Sequence, residues 1–155
     1  MMIPADIRAR IEPLSQCFVP AFSFEGRYVN DHCFVEHEGF LHCFYIDGEV
    51  GKGYSDPGNE CLIGHARTAD LRHWEYVGNA LQADPLLAHE CRSVYAPNIV
   101  RKDGVFHMFY SANSMSGAQT ICHAVSEDLQ HWQRVEGNPC IRPRSPQFDW
   151  SEEYA

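Results

Sequence analysis

The chain has 155 residues, 45% of them apolar and 21% charged, the length and balance of one globular domain rather than of a disordered or fibrous chain. Twenty-one acidic residues against twelve basic ones give a net charge of -9, and no Lys/Arg cluster forms a phosphate-binding stripe; nucleic acid and anionic membrane surfaces are therefore excluded as expected partners, in favour of a neutral polar ligand. No run approaches the roughly 20 apolar residues of a membrane span, and the opening MMIPADIRARIEPLSQ lacks the apolar core of a signal peptide, so the expected location is the cytoplasm.

In chain order, residues 1–27 read as a lead-in segment, 28–94 as a first structural unit with its connector, 95–142 as a second unit, and 143–155 as the start of a further connector. Within the first unit, short runs rich in Phe, Tyr, Val, Ile and Cys lie between Gly, Asp and Asn turns, which predicts strands near 33–36, 40–46, 62–68 and 74–77. The second unit repeats them near 99–101, 105–112, 120–126 and 132–135. HEG at 37–39 and KDG at 102–104 predict tight hairpin turns between the first two strands of each unit. ADLRHW at 69–74 and EDLQHW at 127–132 predict turns in which Asp bonds its own backbone.

Two phrases recur in the same order. EGFLHCFY at 38–45 returns as DGVFHMFY at 103–110, and IGHARTADLRHW at 63–74 returns as ICHAVSEDLQHW at 121–132. The first pair is offset by 65 residues (Gly39 to Gly104) and the second by 58 (Trp74 to Trp132), so seven residues are lost between the phrases, where both copies have loop composition. Four antiparallel strands per repeat is the pattern of a propeller blade. An eight-stranded sandwich would match the strand count but has no reason to reuse the same side chains at matching turns. On this reading Trp74 and Trp132, with Tyr45 and Tyr110, pack one blade on the next, and His42 and His107 are satisfied interior histidines.

Seven cysteines at 17, 33, 43, 61, 91, 122 and 140 show no C-x-x-C spacing and read as buried free thiols. HEC at 89–91 places three donor types side by side, but adjacent residues do not readily converge on one tetrahedral ion, and no H-E-x-x-H spacing exists. No metal and no cofactor are expected. GEVGKGY at 48–54 lacks the Ser/Thr of a phosphate loop.

VNDHCFVEHEGFLHCFY resembles the first-blade phrase of five-bladed β-propeller glycosidases, the group that includes glycoside hydrolase families 43, 32 and 68; SVYAPNIVRKDGVFHMFYSA resembles their second-blade Ala-Pro phrase, and HAVSEDLQHW their Ser-x-Asp-Leu-x-x-Trp turn. The resemblance runs from about Tyr28 to Arg142 and implies an all-β fold of four-stranded antiparallel blades, about two of the five in such a ring. It implies a site on the propeller axis with Asp31 as general base or nucleophile, and Asn30, His32, Tyr95 and Asn98 as substrate-binding neighbours. His32 stands where the family has Pro, Asn98 where family 43 often has Asp, and no Arg-Asp-Pro occurs. Asp31 and Asn98 both precede the first predicted strand of their units, which predicts matching positions at one rim.

Glycosidic cleavage needs two carboxyl groups, a proton donor and a base or nucleophile. Glu90 is the best second carboxylate in the chain, with a solvated loop acid as its alternative reading, and the donor remains unassigned. The implied partner is an arabinose-, xylose- or fructose-containing saccharide. A noncatalytic carbohydrate-binding or structural remnant is the alternative. Two blades alone leave faces uncovered, which points to a truncated form or to self-association through those faces.

Overall fold

Eight strands form in the computed structural model, which describes residues 22–142 apart from Ser55 and Ala118. They are β1 Arg27–His37, β2 Phe40–Glu49, β3 Leu62–Thr68, β4 Glu75–Gln82, β5 Ser93–Lys102, β6 Val105–Asn113, β7 Gln119–Ser126 and β8 Gln133–Arg134. Most of the lead-in and the whole of 143–155 lie outside the described residues. The strands make two four-stranded antiparallel sheets, β1-β2-β3-β4 and β5-β6-β7-β8, the two blades that the repeat predicts.

The local chemistry of the repeat accounts for matching geometry at each turn. Glu38 and Gly39 (φ 52° and 79°) join His37 to Phe40, and Asp103 and Gly104 (φ 51° and 88°) join Lys102 to Val105. Two consecutive left-handed residues make the type I′ turn whose twist matches that of the strands it joins. The β3–β4 and β7–β8 turns are equally alike. Thr68 Oγ1 accepts from the Asp70 and Leu71 amides and Asp70 Oδ1 from those of Arg72 and His73; Ser126 and Asp128 do the same for residues 128–131. Side-chain oxygens thus satisfy amides that a tight turn would leave unpaired. Leu71 and Leu129 take left-handed φ values of 62° and 64°.

Several strands outrun their predicted bounds, β1, β4 and β5 by the most. β1 and β5 each begin six residues earlier than the sequence suggests, because Asn30-Asp31-His32 and Ala96-Pro97 interrupt apolar alternation without ending the ladder: the register shifts between Asn30 and His32, and between Tyr95 and Asn98. β4 continues past Val77 through the weakly strand-forming Gly78, Asn79 and Ala80. Its counterpart β8 stops at Arg134, and pairing resumes only at the Ile121–Ile141 bridge.

The core lies between the blades. Phe44, Ile63 and Leu81 from blade 1 pack with Val94, Phe106, Met108, Ala124 and Leu129 from blade 2. Full burial of each large side chain contributes roughly 1.5–3 kcal/mol. Trp132 meets Phe44 edge-on at 5.7 Å, which is the blade-packing role expected of it. Trp74, its equivalent, lies 4.6 Å from Phe22 on the opposite side of blade 1, where Phe22 and Phe24 cover Cys43, Tyr45 and Ala66. His42 Nδ1 bonds His65 Nε2 at 2.8 Å, and His107 Nδ1 bonds His123 Nε2 at 3.0 Å, so each strand histidine is satisfied by a neighbour one strand away. The thiols depart in part from expectation: Cys43 and Cys122 are buried, Cys33, Cys61 and Cys91 are half-buried, and Cys140 is exposed.

Candidate active site

β1 and β5 are the first strands of their sheets and lie against each other, so the residues that bulge from them share the inner edge of the blade pair. Asp31 is the extra residue of the β1 bulge, and Asn30, Asp31 and His32 are all exposed. The His32 ring meets Phe34 edge-on at 5.2 Å. Among the described residues no hydrogen bond or ion pair engages the Asp31 side chain. A bulge re-aims a side chain out of the pleat, which is why a polar run can sit inside a strand here.

The register corrects the expected match between Asp31 and Asn98. Asn30 faces Ile46 as Tyr95 faces Ser111, and Cys33 faces Phe44 as Asn98 faces Phe109. The equivalent of Asp31 is therefore Ala96, held at φ 44°, and that of Asn98 is Cys33. Both bulges lie inside their strands, ahead of the predicted starts near 33 and 99, which is why Asp31 and Asn98 look alike from the sequence. Asn98 is exposed and Tyr95 half-buried.

Glu90 is not the solvated loop acid of the alternative reading, nor does it face an open cleft. It is fully buried. Arg134 Nε donates to its Oε1 at 2.8 Å and a second guanidinium nitrogen pairs with the same oxygen, while Tyr110 donates to Oε2 at 2.7 Å. Arg134 also donates to the Gln82 carbonyl at 2.6 Å. Gln82 ends β4 and Arg134 ends β8, the last strands of the two sheets, so Glu90 clamps blade 1 to blade 2 at the edge away from β1 and β5. Burial first, then the bond to Glu90, pushes the Tyr110 phenol well above its usual range. The donor atoms of His89, Glu90 and Cys122 lie within 4.8 Å of one another, a group that takes its thiol from β7 rather than from the adjacent Cys91. Glu90 is already occupied by a cationic guanidinium, which opposes a second cation there.

Two buried carboxylates escaped the sequence reading, Asp47, which pairs with Arg27 at 2.7 Å, and Glu60. Glu60, at φ 48°, accepts from the Tyr28 hydroxyl at 2.7 Å, and Asn59 Nδ2 donates to the same hydroxyl at 3.0 Å and to the Gly53 carbonyl at 2.9 Å. The Tyr28 ring lies over Gly48, where a Cβ would fall 2.0 Å from it. This network ties the longer loop of blade 1 to the start of β1, three residues before Asp31. Burial and then the Glu60 bond raise the Tyr28 hydroxyl. The only sequence signal was the seven-residue length difference, which marks a loop but not its anchoring.

The family model for the glycosyl hydrolases family 32 N-terminal domain matches residues 22–149. The chain belongs to this family. Among curated relatives, the family 32 domain is 28% identical over 132 residues to acid β-fructofuranosidase 1, vacuolar, from a Rosa hybrid cultivar, covering 79% of this chain and 21% of that one. It thus spans about a fifth of that relative's length. Solved structures share its fold: fructan 1-exohydrolase IIa from Cichorium intybus (TM-score 0.62, 21% identity, 79% of this chain and 23% of that chain) and the GH43_1 enzyme from Xanthomonas citri complexed with xylotriose (TM-score 0.66, 16% identity, 82% and 38%). The two sheets of this family 32 domain therefore have the fold of neighbouring β-propeller blades.

Proposed function

We propose that the domain carries part of a glycoside hydrolase site in which Asp31 acts as base or nucleophile on a saccharide containing fructose, arabinose or xylose. The observation that carries this reading is an exposed carboxylate, without a hydrogen-bond or ion-pair partner among the described residues, on the inner-strand bulge of a family 32 domain. Asn30, His32, Tyr95 and Asn98 are the neighbouring residues assigned to saccharide contact. The relatives named above include a β-fructofuranosidase and a fructan exohydrolase, which favours fructose-containing substrates. Glu90 holds the blades together on this reading, and the proton donor comes from outside the described residues. The free thiols at six described cysteines support a reducing compartment, and we assign the domain to the cytoplasm, which fractionation would test.

The second reading, a noncatalytic saccharide-binding domain, is favoured by one observation: Glu90 is sealed in an ion pair and so leaves Asp31 without it as a partner. A longer form carrying further blades, assayed on aryl fructosides, arabinosides and xylosides, separates the two. Hydrolysis that falls by several orders of magnitude in Asp31→Asn, with melting temperature unchanged, supports the catalytic reading. Saccharide binding without turnover supports the other.

A further inference from the structure

The last strand of blade 2 is interrupted. β8 pairs with β7 only at Gln133 and Arg134, the chain then leaves the ladder, and it returns at Ile141, whose amide and carbonyl exchange hydrogen bonds with those of Ile121 at 3.2 and 3.0 Å. Between these two points the Asn138 side chain takes the place of a strand, Oδ1 accepting from the His123 amide and Nδ2 donating to the His123 carbonyl, both at 2.9 Å. Ile121 and Ile141 are thus a hydrogen-bonded pair of an antiparallel ladder, and the residues beside them, Cys122 and Cys140, face each other as the next, non-hydrogen-bonded pair. The Cys140 thiol donates to the Ile121 carbonyl at 3.2 Å, the carbonyl of the peptide bond that leads into Cys122. A pair of this kind holds its Cα atoms about 4.5 Å apart, within the span of about 4.4–6.8 Å that a disulfide bridges. Among the described residues no other two cysteines stand opposite each other: Cys33 faces Phe44, Cys43 faces Phe34 and Ala66, and Cys61 and Cys91 lie outside the strands.

We propose that Cys122 and Cys140 form a reversible disulfide by exchange with a small disulfide such as oxidised glutathione. Cys140, the exposed member, attacks first: its thiolate bonds to one sulfur of the small disulfide and expels the other as a thiolate, which takes up the proton that Cys140 released. Cys122 then attacks the Cys140 sulfur of the mixed disulfide and expels the second small thiolate, which takes the Cys122 proton. Two protein thiols are oxidised, and one small disulfide is reduced to two thiols. This order follows from burial. Cys122 is 0% exposed, and burial, then Glu90, pushes its thiol up to about 11, so it stays protonated and out of reach of a reagent in solution. Closure fastens the returning segment to β7 beside the clamp between the blades, since the Cys122 sulfur lies within 4.8 Å of the Glu90 and His89 donor atoms. In a reducing compartment the pair rests as thiols, and a rise in oxidised glutathione closes it. Both cysteines belong to the ladder of one blade, so their pairing is independent of what covers the blade faces, of Asp31 and of any turnover.

Equilibration of the purified chain with mixtures of reduced and oxidised glutathione, quenched by alkylation and read by mass spectrometry and peptide mapping, tests this. The expected product lacks two hydrogens, links the peptides that carry Cys122 and Cys140, and returns to the dithiol with dithiothreitol. Closure should slow amide exchange at Ile121 and Ile141 by about tenfold or more, because it suppresses local opening of the returning segment. Cys140→Ser, at an exposed position, should fold as the parent does, form no bridge and show no slowing. Cys122→Ala should stop at the mixed disulfide on Cys140; where this core substitution lowers the melting temperature, the peptide map of the parent chain and Cys140→Ser carry the test. A parent chain that stays reduced at every glutathione ratio, a mixed disulfide on Cys140 that never closes, a bridge mapped to another pair, or a bridged chain whose Ile141 amide exchanges as before overturns the proposal.

Discussion

Glu90 shows how one side chain can be misplaced by reading its neighbours alone. HEC in a connector looks solvated, and its partner Arg134 lies 44 residues away in sequence, beyond any local pattern. Removing the guanidinium strands a buried carboxylate, so Arg134→Met should lower unfolding free energy by about 3 kcal/mol in urea titrations. Glu90→Gln should cost less, because Arg134 is partly exposed and can turn to water. The histidine pairs make a pH prediction of definite sign. Burial, then His42 and Arg67, lowers His65 to about 3, and burial also lowers His42. As pH falls below about 6.5 the unfolded chain takes up protons that folded His65 refuses, so stability declines, by about 2 kcal/mol at pH 5 from His65 alone. The loss grows down to the folded value and then levels off. His65→Phe should flatten this limb in melts recorded between pH 7 and 5, and an unchanged slope would show that His65 does not drive it.

At the scale of elements, most of the fold was legible because the chain states it twice. Hairpin turns at Gly39 and Gly104, and Asp turns at Asp70 and Asp128, need particular side chains at particular steps, and those steps survive in the sequence. The bulges at Asp31 and Ala96 were not legible, since a bulge looks locally like the end of a strand. That one failure shortened β1 and β5 and misaligned Asp31 with Asn98. Glu60 was hidden differently: its bond to Tyr28 spans 32 residues and has no copy in the second unit to reveal it. The repeat also separates local conformation from packing. Leu71 and Leu129 share a turn and a backbone angle, yet Leu129 is fully buried and Leu71 mostly exposed. Leu129→Ala should therefore cost about 2–5 kcal/mol, whereas Leu71→Ala should stay within about 0.5 kcal/mol. Paired thermal melts of the two variants read that difference directly, and equal losses would mean that the turn, not the core, sets the effect.

For the molecule as a whole, the decisive quantity is how many carboxyl groups reach the inner edge. A retaining glycosidase holds two about 5–5.5 Å apart and an inverting one about 6.5–9.5 Å apart. Among the described residues Asp31 is exposed on the inner strand, while Glu90 is sealed between the outer strands of the two blades. Two blades also leave Asp31 open to water, where neither a raised donor pKa nor preorganised charge stabilisation can be maintained. The 155-residue chain is therefore expected to fold but not to hydrolyse aryl fructosides, arabinosides or xylosides, with a longer form carrying further blades gaining turnover. Assaying both side by side, over a wide range of protein concentration, distinguishes the sources of a site. No turnover by the short chain at any concentration is the expected result. Turnover that appears only in the associated state and disappears in Asp31→Asn would instead place the missing carboxylate on a second copy, and turnover by the monomer would mean that two blades suffice.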